Sequence, residues 1–309
     1  MQKKKIAVTG ATGFVGSHLV AALAARGWTL RLLVRRWSPL PPLAGVEAEI
    51  VWGDLDDENA LRQLVVGVDA VIHAAGLIKA RRSQDFTAVN RDGTARLAAL
   101  VPETPFILLS SLAAREPELS PYAASKRAAE QVVASRPGPW LVLRAPAVYG
   151  PGDRETLAYF RMVRRGIAPQ PAVRGARLSL IHAADLAEAL ARAVEQSPVP
   201  SVYEVDDGHE GGYRYSDMAH AAGLALGCRE RSIRIPRKIL GAVAAANKII
   251  GQLGGPVGIL TAGKVNEIFH PDWIAHDRRF AEATNFVPRF DLASGFRDTI
   301  LWYRAQNWL

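Results

Sequence analysis

A single cysteine, Cys228, stands in a chain of 309 residues, so no internal disulfide can form, and this usage suits a reducing cytoplasm. The seven histidines and the lone thiol make no cluster with zinc-ligand spacing, and no metal is expected. Long apolar runs are missing too. Nothing in the sequence is long and apolar enough to span a bilayer as a helix, and Lys3-Lys4-Lys5-Ile6-Ala7-Val8 breaks at Thr9-Gly10 before the apolar stretch of a signal peptide develops. Charge is one-sided, with a net +8 and an isoelectric point near 9.8, yet the cations come as short pairs such as Arg81-Arg82, Arg164-Arg165 and Arg278-Arg279. Without a long basic run or interleaved aromatics, nucleic acid is not the expected partner; solvated surface charge and a small anionic ligand account for the excess. Internal repeats and low-complexity linkers are also lacking. What remains, with 49% hydrophobic and 22% charged residues, is the composition of a soluble α/β domain carrying a smaller lobe.

The chain is organised around its first twenty residues. Ile6-Ala7-Val8 reads as a buried strand, and Gly10, Gly13 and Gly16 turn it into a helix with Phe14, Val15, Leu19, Val20 and Leu23 at helical spacing. A helix N-terminus offers free N–H groups and the positive end of its dipole to a pyrophosphate, and glycine lets the ligand come close. Thr9, Gly10, Thr12, Gly13, Phe14, Val15 and Gly16 are therefore the candidate phosphate cradle of a dinucleotide. A second strand, Thr29–Val34, ends at Arg35 and Arg36, about twenty residues past the glycines, where an NAD-binding unit carries an acid for the ribose hydroxyls. Here there is no acid. A guanidinium can instead pair with a 2′-phosphate, so Arg35, with Arg36 or Ser38 helping, points to NADP(H) in preference to NAD(H).

Further along, Pro39-Leu40-Pro41-Pro42 forces a loop, and residues 49–53 form a strand candidate that leads into Asp54-Leu55. Ala70–His73 runs into Ala74-Ala75-Gly76, whose small side chains let backbone press against a cofactor, while His73 reads as a satisfied core histidine. A helix over 83–100 carries Asn90 and turns Phe86, Val89, Ala95 and Leu97 inward. Residues 105–111 form a buried strand ending in two hydroxyls. Pro121 then opens a helix on which Tyr122 and Lys126, four apart, share a face. Strands alternating with helices through residue 143 imply a doubly wound, Rossmann-type parallel sheet, to which residues 201–205 return.

The turn Thr9-Gly10-x-x-Gly13-x-x-Gly16, Asp54, Ala74-Ala75-Gly76, Asn90, Ser110-Ser111, Tyr122-x-x-Ser125-Lys126 and Arg144-Ala145-Pro146-Ala147-Val148-Tyr149-Gly150-Pro151 together resemble the extended short-chain dehydrogenases/reductases of the NAD-dependent epimerase/dehydratase type. The resemblance covers essentially the whole chain. It implies that Asp54 and Leu55 lie beside the adenine, that Pro146 and Val148 are on the cofactor side, and that Asn90 orders a water relay or the helix itself. His182 and Asp185 match a His-Val-x-Asp-Leu segment with Ala183 in place of Val, and are expected on the cofactor side or in lobe packing. It further divides the chain into a dinucleotide-binding domain over 1–206, whose loop around 151–177 reaches the cleft, and a mainly substrate-binding lobe over 207–309.

Hydride transfer to a carbonyl needs a proton from a positioned acid. Tyr122 fills that role by resemblance, with Ser111 bonding the same oxygen (Ser110 is the alternative hydroxyl) and Lys126 also holding the cofactor ribose. A free tyrosine has a pKa of about 10, and Lys126 together with an oxidised nicotinamide is expected to lower it. The expected activity is that of an NADP(H)-dependent oxidoreductase acting between a secondary alcohol and a carbonyl of a small-molecule substrate. Within the same fold a nucleotide-sugar epimerase or dehydratase remains open, with Arg154, Arg174 and Arg177 for a diphosphate. A nucleotide-retaining assembly protein is the alternative of another class, and a homodimer is compatible with the sequence. Residues 235–250, apolar at 239, 240, 243 and 250 and basic at Arg237, Lys238 and Lys248, read as core packing or a lid in preference to a membrane-surface helix, since Gly251 and Gly254-Gly255-Pro256 cut the segment short.

Overall fold

The computed structural model describes residues 3–41, 43, 45–197, 199–252 and 260–309. Pro42 and the break at Gly254-Gly255-Pro256 lie outside the described residues. Strands β1 (Lys5–Thr9), β2 (Thr29–Val34), β3 (Ala48–Trp52), β4 (Ala70–His73), β5 (Phe106–Ser111) and β6 (Trp140–Ala145) build most of the central sheet. Four short strands follow: β7 (Ala147–Tyr149), β8 (Ile167–Pro171), β9 (Arg177–Leu178) and β10 (Leu180–His182). The chain then returns to the sheet as β11 (Ser201–Glu204) beside β6, and ends its strands with β12 (Tyr213–Arg214), β13 (Arg231–Ile235) and β14 (Asp272–Trp273). The sheet order is β11-β6-β5-β4-β1-β2-β3, parallel throughout. That order reverses direction between β1 and β4, the switch point at which an open α/β sheet binds its ligand outside the carboxyl ends of the strands.

Parallel strands covered on both faces need apolar side chains at nearly every position, which is why β1, β2 and β4 stand out in the sequence. One face is covered by α1 (Phe14–Ala24) and the other by α2 (Glu58–Val65), α4 (Gly93–Ala99) and α5 (Pro121–Ala134), while the short α3 (Ser83–Phe86) packs on α5. After α6 (Glu155–Arg164), α7 (Ala183–Gln196) joins α1, and Leu19, Leu23, Leu186 and Leu190 are fully buried between them and the sheet. Truncating one of these leucines to alanine typically costs ~2–5 kcal/mol. The remaining helices are α8 (Tyr215–Leu226), α9 (Arg237–Gln252), α10 (Ala262–Ile268), α11 (Arg279–Thr284) and α12 (Leu292–Ala305). A separate core joins α6 and β8–β10 to α8 and α12 around Tyr149, Phe160, Phe296 and Tyr303.

The helix expected over 83–100 has a wide centre. Residues Thr87–Asp92 form a turn of π-helix between α3 and α4. The extra residue in that turn rotates the inner face, so Asn90, Gly93, Thr94 and Leu97 are buried while Phe86, Val89 and Ala95 are only half-buried.

Candidate active site

At the carboxyl end of β1 the three glycines do different things. Gly10 has a positive φ of 76°, and a Cβ there would lie 2.6 Å from the Ala75 nitrogen, so the loop after β4 passes flush over it. A Cβ on Gly16 would come within 2.0 Å of the Gly10 carbonyl oxygen, which is how α1 packs tightly on the turn. Gly13 is exposed at the helix start, makes no side-chain cap, and a Cβ there would meet only the Gly10 oxygen at 3.2 Å. The Gly13 N–H is taken by the Gly10 carbonyl at 3.0 Å, and the start of α1 at Phe14 opens beside the exposed Gly13, which fits a pyrophosphate.

Beneath this turn His73 is buried, with Nδ1 2.6 Å from Thr9 Oγ1 and Nε2 3.0 Å from Thr94 Oγ1. The Ala75 N–H donates to the same Thr9 hydroxyl at 3.2 Å. Burial and the nearby Lys126 hold the imidazole neutral, down at about 3. The unfolded chain takes up this proton below about pH 6.5 and the folded chain does not, so stability is lost as pH falls through that value toward 3. At pH 5.5 the penalty is about 1.4 kcal/mol. Urea unfolding at pH 7.0 and 5.5 should therefore show a smaller pH dependence for His73→Gln than for the parent by that amount; equal dependence would contradict it.

Arg35 and Arg36 are exposed directly after β2, Arg35 lying over the Trp37 ring at 5.8 Å. Asp54 is half-buried and its carboxylate accepts from the Asp56 N–H. Leu55 is buried beneath Gly93, where a Cβ would clash with it at 2.8 Å. On the other side of the turn Pro146 is buried and Val148 half-buried. His182 and Asp185 make packing contacts: the His182 ring caps α7 and lies on Phe290 with centroids 4.0 Å apart, and Asp185 accepts from the Phe290 N–H at 2.9 Å.

Ser111, Tyr122, Lys126 and Asn90 come together at the carboxyl end of β5. Ser120 caps α5 through the Ala123 N–H, so Tyr122 enters in the first turn and Lys126 one turn later. Tyr122 hydrogen-bonds Ser111 and packs edge-on against Phe86. Lys126 Nζ donates to the Leu109 carbonyl at 2.7 Å. Asn90 closes a clamp on the loop after β4: it accepts from the Leu77 N–H at 2.7 Å, donates to the Leu77 carbonyl at 3.0 Å and donates to Ser125 Oγ at 2.9 Å. Its contacts order the loop and the π-helical turn. Gly76 sits against this clamp, its absent Cβ 3.1 Å from Asn90 Oδ1 and 4.0 Å from Lys126 Nζ.

The two hydroxyls of β5 are divided by Glu130. This buried carboxylate accepts from Ser110 at 2.6 Å and pairs bidentately with Arg144 at 2.9 and 2.7 Å. Ser110 is thereby tied into the core, and Ser111 is the hydroxyl left beside Tyr122.

Of the two cations expected to lower the tyrosine's pKa, Lys126 does not set it. Burial pushes Tyr122 up to about 12 against the lowering effect of Ser111, and the Glu267 carboxylate adds to the rise. Lys126, itself brought down to about 8 by burial, is directed to the Leu109 carbonyl. Glu267 escaped the sequence reading entirely. It arrives on α10, accepts a hydrogen bond from Ser120 and pairs with Lys264 at 2.9 Å. Only the long-range docking of α10 on the start of α5 puts it there. Ser125, by contrast, was legible as the fourth residue of Tyr-x-x-Ser-Lys. A separate surface depression lined by Pro105, Trp140, Ala193 and Pro200 lies where β5 and β6 begin, at the opposite edge of the sheet.

Residues 6–206 match the NAD dependent epimerase/dehydratase family. The chain belongs to that family. It is an NAD(P)-dependent enzyme of the extended short-chain dehydrogenase/reductase type, with a Rossmann-type fold. Along 307 residues it is 41% identical to a ceramide reductase of Caulobacter vibrioides, covering 98% of this chain and 96% of the relative. Among solved structures, gox2253 superposes with a TM-score of 0.79 at 22% identity over 100% of both chains. The UDP-N-acetylglucosamine 4-epimerase of Bacillus cereus superposes with a TM-score of 0.71 at 20% identity, covering 98% of this chain and 100% of that one. These two likenesses concern the fold.

Proposed function

We propose that the enzyme is an NADPH-dependent reductase of a ketone on a long-chain lipid amide of the ceramide type. The observation that carries the chemistry is the hydrogen bond between Ser111 and a half-buried Tyr122 that keeps its proton at neutral pH, with the buried Lys126 one turn away. The full-length likeness to a ceramide reductase supports the substrate class. When bound, a reduced nicotinamide supplies the hydride. As negative charge grows on the substrate oxygen, Tyr122 gives that oxygen its hydroxyl proton and Ser111 donates a hydrogen bond to it. Lys126, an ammonium below about pH 8, stabilises the phenolate left behind and is placed to hold the ribose.

The epimerase reading needs cations for a nucleotide diphosphate. Arg177 donates to the Gly211 and Gly212 carbonyls and Arg154 stacks on Trp308, so two of the three candidate cations are engaged elsewhere. Reduction is therefore the better reading.

Arg35 and Arg36 should make NADPH bind at least about tenfold more tightly than NADH, through charge-assisted contacts to the 2′-phosphate. Fluorescence titration of both cofactors measures this directly. Arg35→Asp should bring the two constants together or invert them; tighter binding of NADH by the parent enzyme would refute the role of Arg35.

A further inference from the structure

Helix α9 turns its apolar residues outward. Ile239, Val243, Ala246 and Ile250 recur at i, i+4, i+7 and i+11 and so form one stripe within about 60° of the helix circumference. All four are exposed, Ile239 by 54%, Val243 by 44% and Ile250 by 48%, while the opposite flank of Leu240, Ala244 and Asn247 is the one that faces the protein. Asn247 donates to the Leu260 carbonyl at 3.1 Å, and α9 packs chiefly against α10. The core reading of positions 239, 243 and 250 is thus overturned: the helix rests on its small and polar face.

The surroundings of the stripe are basic. From residue 231 to residue 250 the sequence has five cations and no acid, of which Arg237 is turned to Asn266 and Phe269. Lys238 borders the stripe, and β13 runs into α9 across Pro236 alone, exposing Arg231, Arg234 and, between them, Ile233. Its partner strand β8 adds an exposed Ile167 preceded by the exposed Arg164 and Arg165. A second copy of this chain would bring two like-charged faces together, and a nucleic acid would leave the isoleucines in water. An anionic bilayer meets both demands, taking the apolar stripe below its headgroups and the cations at them.

We infer that α9 and β13 form a docking face for an anionic phospholipid membrane. The site that would receive a lipid lies close by in the chain: α10, the packing partner of α9, carries the Glu267 that meets Ser120 beside Tyr122. The docking face rests on exposure and charge alone, and its test needs neither substrate nor turnover, so its failure is distinguishable from failure of the reductase reading.

The test is sedimentation of the full chain with vesicles of equimolar phosphatidylglycerol and phosphatidylcholine, beside vesicles of pure phosphatidylcholine. The protein should pellet with the anionic vesicles at low salt, remain in the supernatant with the neutral ones, and be released by high salt. Ile239→Glu combined with Val243→Glu should lower the partition at least about tenfold, with circular-dichroism melting and NADPH affinity unchanged. No pelleting at low salt, or equal pelleting of the double variant, would overturn the inference. So would a parent protein that is dimeric by light scattering and becomes monomeric in the double variant, because the stripe would then be covered by a second copy.

Discussion

Tyr122→Phe should lower turnover by about 10³-fold or more while changing the NADPH dissociation constant less than about threefold. The ring fills the same space against Phe86, so packing survives and only the proton is removed. The partner hydroxyl of Ser111 cannot replace it, since a serine has no comparable acidity and here also accepts from the Ala113 N–H at 3.2 Å. Lys126→Ala should behave differently, weakening both cofactor binding and turnover. It removes a buried ammonium that donates to the Leu109 carbonyl and is placed for the ribose. Steady-state kinetics with direct cofactor titration separates the two cases, and a Tyr122→Phe enzyme within a few-fold of the parent would show that another group is the acid.

Gly16→Ala should destabilise the chain severely, by about 3 kcal/mol or more, even before cofactor is added. The new methyl would stand 2.0 Å from the Gly10 oxygen and 2.8 Å from the Ala11 Cα, and both are backbone atoms that cannot rotate away. Helix α1 would have to lift from the turn, and the buried layer of Leu19 and Leu23 against α7 would lift with it. Gly13→Ala is the control, because its methyl meets only the Gly10 oxygen at 3.2 Å and otherwise points into the open cradle. That variant should keep its melting temperature to within a few degrees and lose cofactor affinity. Thermal melts of both apo proteins decide the matter: a Gly16→Ala melt within about 2 °C of the parent would contradict the packing role.

The fold was legible where burial imposes a simple pattern. Strands β2 and β4 fall on the residues expected, because a parallel strand covered on both faces is a mainly apolar run, broken inside β2 only by Arg31, whose guanidinium is held by Glu49 and the Gln63 and Val66 carbonyls. The Tyr122–Lys126 pair was legible because four residues are one helical turn whatever the tertiary setting. Three things were not. The π-helical turn at 87–92 arises from the Asn90 clamp on Leu77, a contact between segments that local periodicity does not encode. The outward face of α9 was hidden because an amphipathic pattern tells which residues share a side, and only the tertiary partner tells which side is inside. The direction of the Tyr122 shift depends on burial and on Glu267, which lies 145 residues further along the chain and reaches the site only through the packing of α10.

Single-turnover reduction is the most direct measure of the central reading. The enzyme would be mixed with a limiting amount of NADPH and the 3-keto form of a ceramide in detergent micelles, with nicotinamide absorbance and the lipid product followed together. One alcohol should form for each NADPH consumed, with no consumption by Tyr122→Phe. Absorbance that stays constant while the parent enzyme holds its cofactor, or NADPH oxidised without any lipid alcohol appearing, would contradict it.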